Sequence, residues 1–303
     1  MRVSMLSTIR KTAGKLKIPL LLLTFCVLLF TSCIHQAPDV AGIVSQVAYT
    51  PTRPEEITSL RVGVVPGPYG DMFMGYIAPL LEPRGYSIQL VHFADFIQPN
   101  FALAANEIDL NIFQHSHFKN NFKFTQEVDI SAVVEVPTVS MGVFSTRFTT
   151  LEDIREGAVV SIPSDTTNLA RGLRVLESSG LITLNPLADR SVATPDDIIR
   201  NPRELSFNLM DAALLVDSLP TVDLAVITGG FAFAGGLDIA GALYNETLTA
   251  GYKIVVAVRT EDLARQFVHS ILDVVHSDGF MDAIVDENSV FSGFQRPAYL
   301  LLR

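Results

Sequence analysis

Two histidines are the side chains of this chain whose spacing first suggests chemistry. His115 and His117 form an H-x-H pair at the end of IDLNIFQH, a segment that we interpret as a strand, so that both rings would lie on one face. Such a pair can bind a metal ion, but no cysteine or third histidine lies nearby to complete a zinc site. We therefore predict no metal site.

Arg171 is the cation best placed to bind an anion. It lies in DTTNLARGLRVLESSG, which has a helix start signal at Asp165 and a glycine stop at Gly180. Arg171 is two residues beyond Leu169, so it points away from the apolar stripe of this helix. We place it in the first turn, where the helix dipole favours an anion, and a guanidinium matches a carboxylate with two parallel hydrogen bonds. The alternative is a solvated surface charge.

Catalytic motifs are missing from the sequence. It contains no G-x-S-x-G, no P-loop and no H-E-x-x-H, and the glycine-rich GGFAFAGG at 229–236 lacks the spacing of a phosphate cradle. We predict a protein that is not an enzyme, with no catalytic residues and no cofactor.

The elements that would position these residues alternate between strand and helix. LRVGVVPG, SIQLVHF and IDLNIFQH read as strands separated by short helices, and AVVSIP, LSFNLM, LAVITGG and YKIVVAVR form a second series. VEVPTVSMGVFS reads as one long strand that crosses between the two series, and LEDIREG as a short helix. The pattern predicts an α/β protein with two lobes around a hinged cleft, where ligands bind at the carboxyl ends of strands.

The N-terminus predicts export. Five basic residues precede the apolar run IPLLLLTFCVLLF, which is too short to span a bilayer as a helix and ends in Thr31, Ser32 and Cys33. This resembles a relaxed bacterial lipobox, with Phe30 where an aliphatic residue is usual, and it implies lipid attachment at Cys33. The alternative is an uncleaved N-terminal anchor. We predict a protein of the cell envelope, anchored to a membrane through Cys33.

Charge excludes nucleic acid as a partner. Without the five basic residues before Cys33, 17 basic residues face 32 acidic ones, a net charge of −15. Phosphates need to be neutralised by Lys and Arg, so such a chain binds nucleic acid poorly. We predict the following organisation: 1–32 signal peptide, 33–58 lipidated N-terminus and tether, 59–142 plus 246–303 lobe I, and 143–245 lobe II.

Several of these segments together resemble the methionine-binding lipoproteins of ABC importers (the NlpA/MetQ family). The matches are VGVVPGP at 62–68, VHFADFIQPNFAL at 91–103, IDLNIFQHSHF at 108–118, SIPSDTTNLARGL at 161–173 and DLAVIT at 223–228. The resemblance implies a type II periplasmic-binding-protein fold. It also implies a small-molecule ligand, methionine or an analogue, and a permease and an ATPase as partners.

The resemblance also implies a set of ligand-binding residues. The aromatic positions that enclose the ligand's apolar side chain correspond to Phe96, Phe113, His115 and Phe118, and the carboxylate clamp corresponds to Arg171. Aromatic rings suit a thioether because they bury much area and contact sulfur favourably. Asn168 stands at the start of the same helix, as a cap or a ligand contact, and Thr228 completes the set.

Two positions depart from the family pattern. Methionine-binding relatives have asparagines that hold the ligand's α-amino group where this chain has Thr228 and Ile254. Because a buried ammonium needs partners, either Glu135, Asp165 or a backbone carbonyl replaces them, or the ligand is not free methionine. The function predicted is a lipid-anchored solute-binding protein for methionine or a related molecule. The alternative is a surface lipoprotein that uses this fold for adhesion or signalling.

Overall fold

The computed structural model describes residues 58–301, so the predicted signal peptide, Cys33 and nearly all of the tether lie outside the described residues. Within that range the strands are β1 Ser59–Val64, β2 Ser87–His92, β3 Leu110–His115, β4 Ile130–Glu135, β5 Gly142–Phe144, β6 Val159–Pro163, β7 Thr183–Leu184, β8 Ile198–Arg200, β9 Ser206–Met210, β10 Leu224–Ile227, β11 Tyr244–Asn245 and β12 Ile254–Arg259.

The helices alternate with these strands. They are α1 Tyr69–Met72, α2 Ala78–Leu81, α3 Gln98–Ala104, α4 Ser116–Gln126, α5 Thr166–Ser178, α6 Leu215–Ser218, α7 Gly229–Ala234, α8 Gln266–Val275, α9 Asp278–Val285 and α10 Ala298–Leu301. A π-helical stretch, Phe73–Ile77, joins α1 to α2, and short 3-10 turns occupy Glu82–Arg84, Pro195–Asp197, Ala212–Leu214 and Thr260–Asp262.

Two five-stranded sheets organise the described residues. The first has the order β2-β1-β3-β12-β4, in which β1 pairs in parallel with β2 and β3 while β12 runs antiparallel to β3 and β4. The second has the order β11-β5-β10-β6-β9, with parallel pairs β10–β6 and β6–β9 and antiparallel pairs of β5 with β10 and β11. We call the first sheet with its helices lobe I and the second lobe II; the α/β fold predicted from the sequence is confirmed.

Each sheet is covered by apolar side chains on both faces. In lobe I one core includes Phe73, Phe267 and Phe280, and the opposite face packs Phe113 and Phe122. Lobe II buries a core with Leu173 of α5 on one side, and a core around Leu215 and Phe231 on the other. The central strands β3, β10 and β12 are buried along their whole length, so they read as nearly continuous apolar runs, whereas the edge strands β2 and β9 are half-buried or exposed.

The chain passes between the sheets twice. The first crossing, 136–141, leads from β4 to β5, and the second crossing, 246–253, leads from β11 back to β12. Gln295 ties both together, since its amide nitrogen donates to Ser140 Oγ and to the Glu246 carbonyl oxygen, each at 2.7 Å, and its amide oxygen accepts from Leu248 N. The two crossings therefore form one linked hinge region.

Two local predictions are wrong. VEVPTVSMGVFS is not one strand, because β4 ends at Glu135 and β5 begins at Gly142. Pro137, which has no N–H to pair, lies in the intervening segment. LEDIREG forms turns rather than a helix. No helix within residues 58–301 is long and apolar enough to cross a membrane.

Candidate functional site

A cavity lies between the lobes, at the carboxyl ends of β1, β3 and β10. Binding sites in open α/β sheets are found at such strand ends. Its lining comes from both lobes and from the first crossing: Val65, Pro66, Tyr69, Phe96, Phe113, Gln114, His115, Phe118, Thr138, Val139, Asn168, Arg171, Thr228, Gly229, Gly230 and Ile254.

The enclosed space is small in this arrangement. Its volume is about 30 Å³, which is room for about two water molecules. A solute of amino-acid size therefore enters only when the lobes or the lining side chains move apart. The arrangement described here is a closed one.

Three phenylalanine rings form the apolar end of the cavity. Phe96 is stacked on Phe113 at 5.8 Å between ring centroids, and Phe118 lies edge-on to both, at 5.9 and 6.2 Å. Phe96 also contacts Phe231 of α7 at 4.8 Å. Because Phe231 belongs to lobe II, this ring pair joins the lobes on the apolar side of the cavity.

His115 is held in a single neutral form by its neighbours. Phe118 N donates to its Nδ1 at 3.0 Å, so Nδ1 carries no proton and Nε2 donates to Asn168 Oδ1 at 3.2 Å. The Asn168 amide nitrogen in turn donates to both carboxylate oxygens of Asp165. Burial, and next the positive charge of Arg171, hold the pKa of His115 well below its ordinary value. Both ring nitrogens of His115 are therefore engaged within the protein.

His117 lies outside the cavity lining. The H-x-H pair does not share a strand, since β3 ends at His115 and α4 begins at Ser116. The His117 ring lies on Tyr252 at 4.5 Å and its Nε2 is 3.2 Å from the Ala250 carbonyl oxygen. Among residues 58–301 no three His, Cys, Asp or Glu side chains are grouped so as to hold a metal ion.

Arg171 reaches the cavity but is already paired with a carboxylate of the protein. Its Nε lies 2.9 and 3.1 Å from the two oxygens of Glu246, and its Nη2 donates to the same carboxylate. Glu246 Oε1 also accepts from Met141 N at 2.9 Å. This ion pair links α5 to the second crossing through Glu246 and to the first through Met141, and the structure shows no protein partner for Arg171 Nη1 within residues 58–301.

The prediction that Arg171 lies in the first turn of its helix is wrong. Because α5 begins at Thr166, Arg171 is in the second turn, beyond the free N–H groups. Its electrostatic partner is Glu246 instead. Burial lowers the pKa of Arg171, but the charge and hydrogen bonds of Glu246 outweigh it, so the pKa lies above its ordinary value.

Tyr252 of the second crossing brings further cations to the lobe boundary. Arg174 Nη1 donates to Tyr252 Oη at 2.7 Å, and the Arg171 and Arg174 guanidinium carbons lie 5.3 and 4.8 Å from its ring centroid. With His117 on the same ring, α4, α5 and the second crossing meet at one aromatic side chain. Such cation–π contacts favour the closed arrangement.

The two positions that depart from the family pattern both line the cavity. Thr228 is 6% exposed and its Oγ1 has no hydrogen-bond partner among the described residues. Ile254 presents a hydrocarbon side chain, and its backbone N–H donates to Thr138 Oγ1. Neither Glu135 nor Asp165 is part of the lining. Burial raises the pKa of Asp165, whose carboxylate caps α5 by accepting from Asn168 N.

All seven residues predicted to bind a ligand lie around this one cavity: Phe96, Phe113, His115, Phe118, Asn168, Arg171 and Thr228. Sequence reasoning missed Tyr69 and Gln114 in the lining and Glu246 behind Arg171. No signal pointed to Gln114, because neighbours in a strand face opposite sides, and its side chain bonds Asn100 and Asn111. No local signal marks Glu246, because it lies 75 residues from Arg171 along the chain.

Comparison with known proteins places the chain among lipoproteins with this fold. The model of the NlpA lipoprotein family matches residues 60–299. A structure described as an ABC transporter periplasmic substrate-binding protein from Coxiella burnetii is 32% identical, with a TM-score of 0.70, and the match covers 75% of this chain and 95% of that one.

Two further relatives carry methionine in their descriptions. A nutrient-binding protein from Burkholderia cenocepacia, solved bound to methionine, is 30% identical with a TM-score of 0.72, and the match covers 77% of this chain and 97% of that one. The probable D-methionine-binding lipoprotein MetQ of Haemophilus influenzae is 28% identical over 205 residues, 67% of this chain and 75% of that protein.

Proposed function

Because the chain belongs to the NlpA lipoprotein family, we propose that it is a lipid-anchored solute-binding protein of an ABC importer, and that it binds methionine or a related small amino-acid-like molecule. Family and fold are those of substrate-binding proteins rather than enzymes. The observation that carries the proposal is the cavity itself, where a cation from lobe II faces three phenylalanine rings from lobe I.

The site supports a binding mechanism in which the two ends of the ligand are recognised separately. Arg171 offers Nη1 to the ligand carboxylate, and the rings of Phe96, Phe113 and Phe118 surround the apolar side chain and exclude water from it. The lobes open to admit the ligand and close around it at the linked crossings. The closed form then delivers the solute to a membrane permease driven by an ATPase on other chains.

The proposed location is the cell envelope. Relatives are named lipoproteins and outer membrane lipoproteins, and the sequence places Cys33 directly after an apolar export signal. Lipid on Cys33 would hold the described body at a membrane surface by the tether that precedes β1. Mass spectrometry of the purified protein tests this proposal, because a chain that begins at unmodified Met1 would contradict it.

Calorimetric titration of the full-length protein in detergent tests the binding role. Replacing Arg171 alone would leave Glu246 buried and unpaired, so the informative variant is Arg171→Met with Glu246→Met, which removes both charges together. We expect methionine or its analogues to bind the wild type and to lose about 30-fold or more in affinity with this double variant. The matched control is Arg190→Met with Glu177→Met, an ion pair outside the cavity lining whose side chains are 46% and 22% exposed, and it should bind normally.

Two results would contradict different parts of the proposal. If the double variant bound as tightly as the wild type, Arg171 would not contact the ligand and the proposed binding mode would be wrong. If neither calorimetry nor thermal shift detected any ligand across a panel of amino acids, their analogues and dipeptides, the fold would be serving as an adhesion or signalling scaffold instead. Saturating ligand should raise the melting temperature, because it binds only the folded state.

A further inference from the structure

We propose that the preferred ligand has no α-ammonium group, and is an α-hydroxy or α-oxo acid with an unbranched apolar side chain. This inference rests on the proposed solute-binding function and specifies its ligand. It follows from counting which hydrogen-bond donors and acceptors of the lining are still available, because a buried polar group of the ligand must find a partner there.

The unused side-chain groups of the lining are mainly donors. Arg171 Nη1 has no protein partner in the described part of the chain, and a guanidinium only donates. Thr228 Oγ1 also has no hydrogen-bond partner among residues 58–301, and a hydroxyl can both donate and accept. The Tyr69 hydroxyl is not free in this way, because it is hydrogen-bonded to the Val139 backbone and to the Thr138 side chain.

The lining amides and hydroxyls that could accept are already bound within the protein. Asn168 Oδ1 accepts a hydrogen bond from His115 Nε2. Gln114 Oε1 accepts one from the Asn100 amide at 2.8 Å, and Thr138 Oγ1 accepts one from Ile254 N at 2.8 Å. An ammonium carries three N–H donors. Among the side-chain oxygens of the lining, Thr228 Oγ1 is the one that makes no hydrogen bond within residues 58–301 and is fully available to meet them.

The nearby carboxylates are engaged as well. Glu246 accepts from Arg171 and from Met141 N, and Asp165 accepts from Asn168 N, Asn168 Nδ2 and the Thr167 hydroxyl. Neither carboxylate is part of the cavity lining. An α-ammonium would therefore be buried beside a guanidinium with no free anion facing it, which is an unfavourable environment for a cation.

An α-hydroxy or α-oxo group fits the same space. Its oxygen accepts from the Thr228 hydroxyl, and an α-hydroxyl can also donate back to that oxygen. The carboxylate accepts from Arg171 Nη1, and the phenylalanine rings receive the apolar chain. Such a ligand therefore presents acceptors to the two available side-chain groups of the lining, Arg171 Nη1 and Thr228 Oγ1.

A titration series tests the inference on the full-length protein in detergent. The ligands are methionine, its α-hydroxy analogue, its α-oxo analogue, and the analogue with only hydrogen at the α-carbon. We expect the α-hydroxy or the α-oxo acid to bind at least about tenfold more tightly than methionine. Methionine binding as tightly or more tightly would overturn the inference and leave the proposed function intact. No binding by any of the four would overturn both.

Two variants locate the effect at the α-substituent. Thr228→Val removes an oxygen that makes no hydrogen bond in the protein, so folding should be unaffected. Thr228→Val should lower the affinity for the α-hydroxy acid about tenfold and leave the affinity for the analogue with only hydrogen at the α-carbon unchanged. Ile254→Asn supplies an acceptor and should raise the affinity for methionine relative to that for the α-hydroxy acid. The control is Ile199→Asn at an exposed position of β8, which should leave this ratio of affinities unchanged. Equal effects on all ligands would refute the assignment of Thr228.

Discussion

Replacing Glu246 by glutamine removes the charge that faces Arg171 while keeping the shape of the side chain. The Arg171 and Glu246 side chains are 5% and 11% exposed, so the pair is buried. Removing one partner of such a pair costs about 3–5 kcal/mol, because the other charge is left without compensation. The glutamine oxygen can still accept from Met141 N, so we expect a loss of about 2–3 kcal/mol in the free energy of unfolding.

The same change should strengthen ligand binding. In the wild type, Glu246 occupies Nε and Nη2 of Arg171, which leaves Nη1 for a ligand. In Glu246→Gln the unpaired guanidinium can offer a ligand carboxylate two parallel hydrogen bonds, and we expect affinity for the α-hydroxy acid to rise about tenfold. The primary amide of that α-hydroxy acid, which has no carboxylate charge, should gain much less affinity. A variant that is less stable but binds more tightly is the signature of competition for Arg171.

Thermal unfolding and calorimetric titration measure the two effects. For a chain of this size, a change of about 1 kcal/mol in the free energy of unfolding shifts the melting temperature by about 2–4 °C. Without ligand, Glu246→Gln should therefore melt about 5–10 °C below the wild type. Glu177→Gln is the control, because Glu177 pairs with Arg190 at the surface, where such pairs contribute about 1 kcal/mol or less. If Glu246→Gln lowered affinity together with stability, or changed neither, Glu246 would not compete with the ligand.

Two further predictions concern the lobe boundary and pH. Gly251 has φ +82°, and a Cβ there would lie 2.5 Å from His117 Nε2, so Gly251→Ala should lower the free energy of unfolding by about 2–3 kcal/mol in urea titrations. The control is Gly180→Ala, which has φ +81° but open space around it and should lower the same free energy by about 1–2 kcal/mol. Equal losses in the two variants would show that the His117 contact is irrelevant. His115 has a lowered pKa, so below about pH 6.5 the unfolded chain takes up a proton that the folded chain does not, and stability should fall by up to about 1.4 kcal/mol per pH unit. Urea unfolding between about pH 7 and pH 5 should show this slope in the wild type and not in His115→Gln, and parallel curves would contradict it.

Sequence patterns predicted the elements well where local rules are strong. Strands buried on both faces appear as apolar runs, and α5 follows from its cap at Asp165 and its glycine stop at Gly180. The crossing segment was harder to predict, because the apolar sequence on both sides of Pro137 reads as one strand. Pairing partners, which the sequence does not display, decide where β4 ends and β5 begins.

The candidate site was predictable because its residues lie in motifs, but their interactions were not. The resemblance to the family's motifs brought Phe113, His115 and Arg171 into one hypothesis, and all three line the cavity. The neutral form of His115 depends on donors and acceptors from two lobes, which only their packing brings together.

By itself, the sequence determined the α/β architecture, because periodicity and residue type are local properties of a chain. Its resemblance to the family pattern predicted a binding site of one cation and several rings, and the export signal, which lies outside the described residues, stays a prediction. Tertiary structure decided that Glu246 neutralises Arg171, that Thr228 Oγ1 has no partner among residues 58–301, and that the cavity is narrow. Charge pairing and hydrogen-bond satisfaction depend on distances between residues far apart in the chain, and those distances are fixed only when the lobes pack.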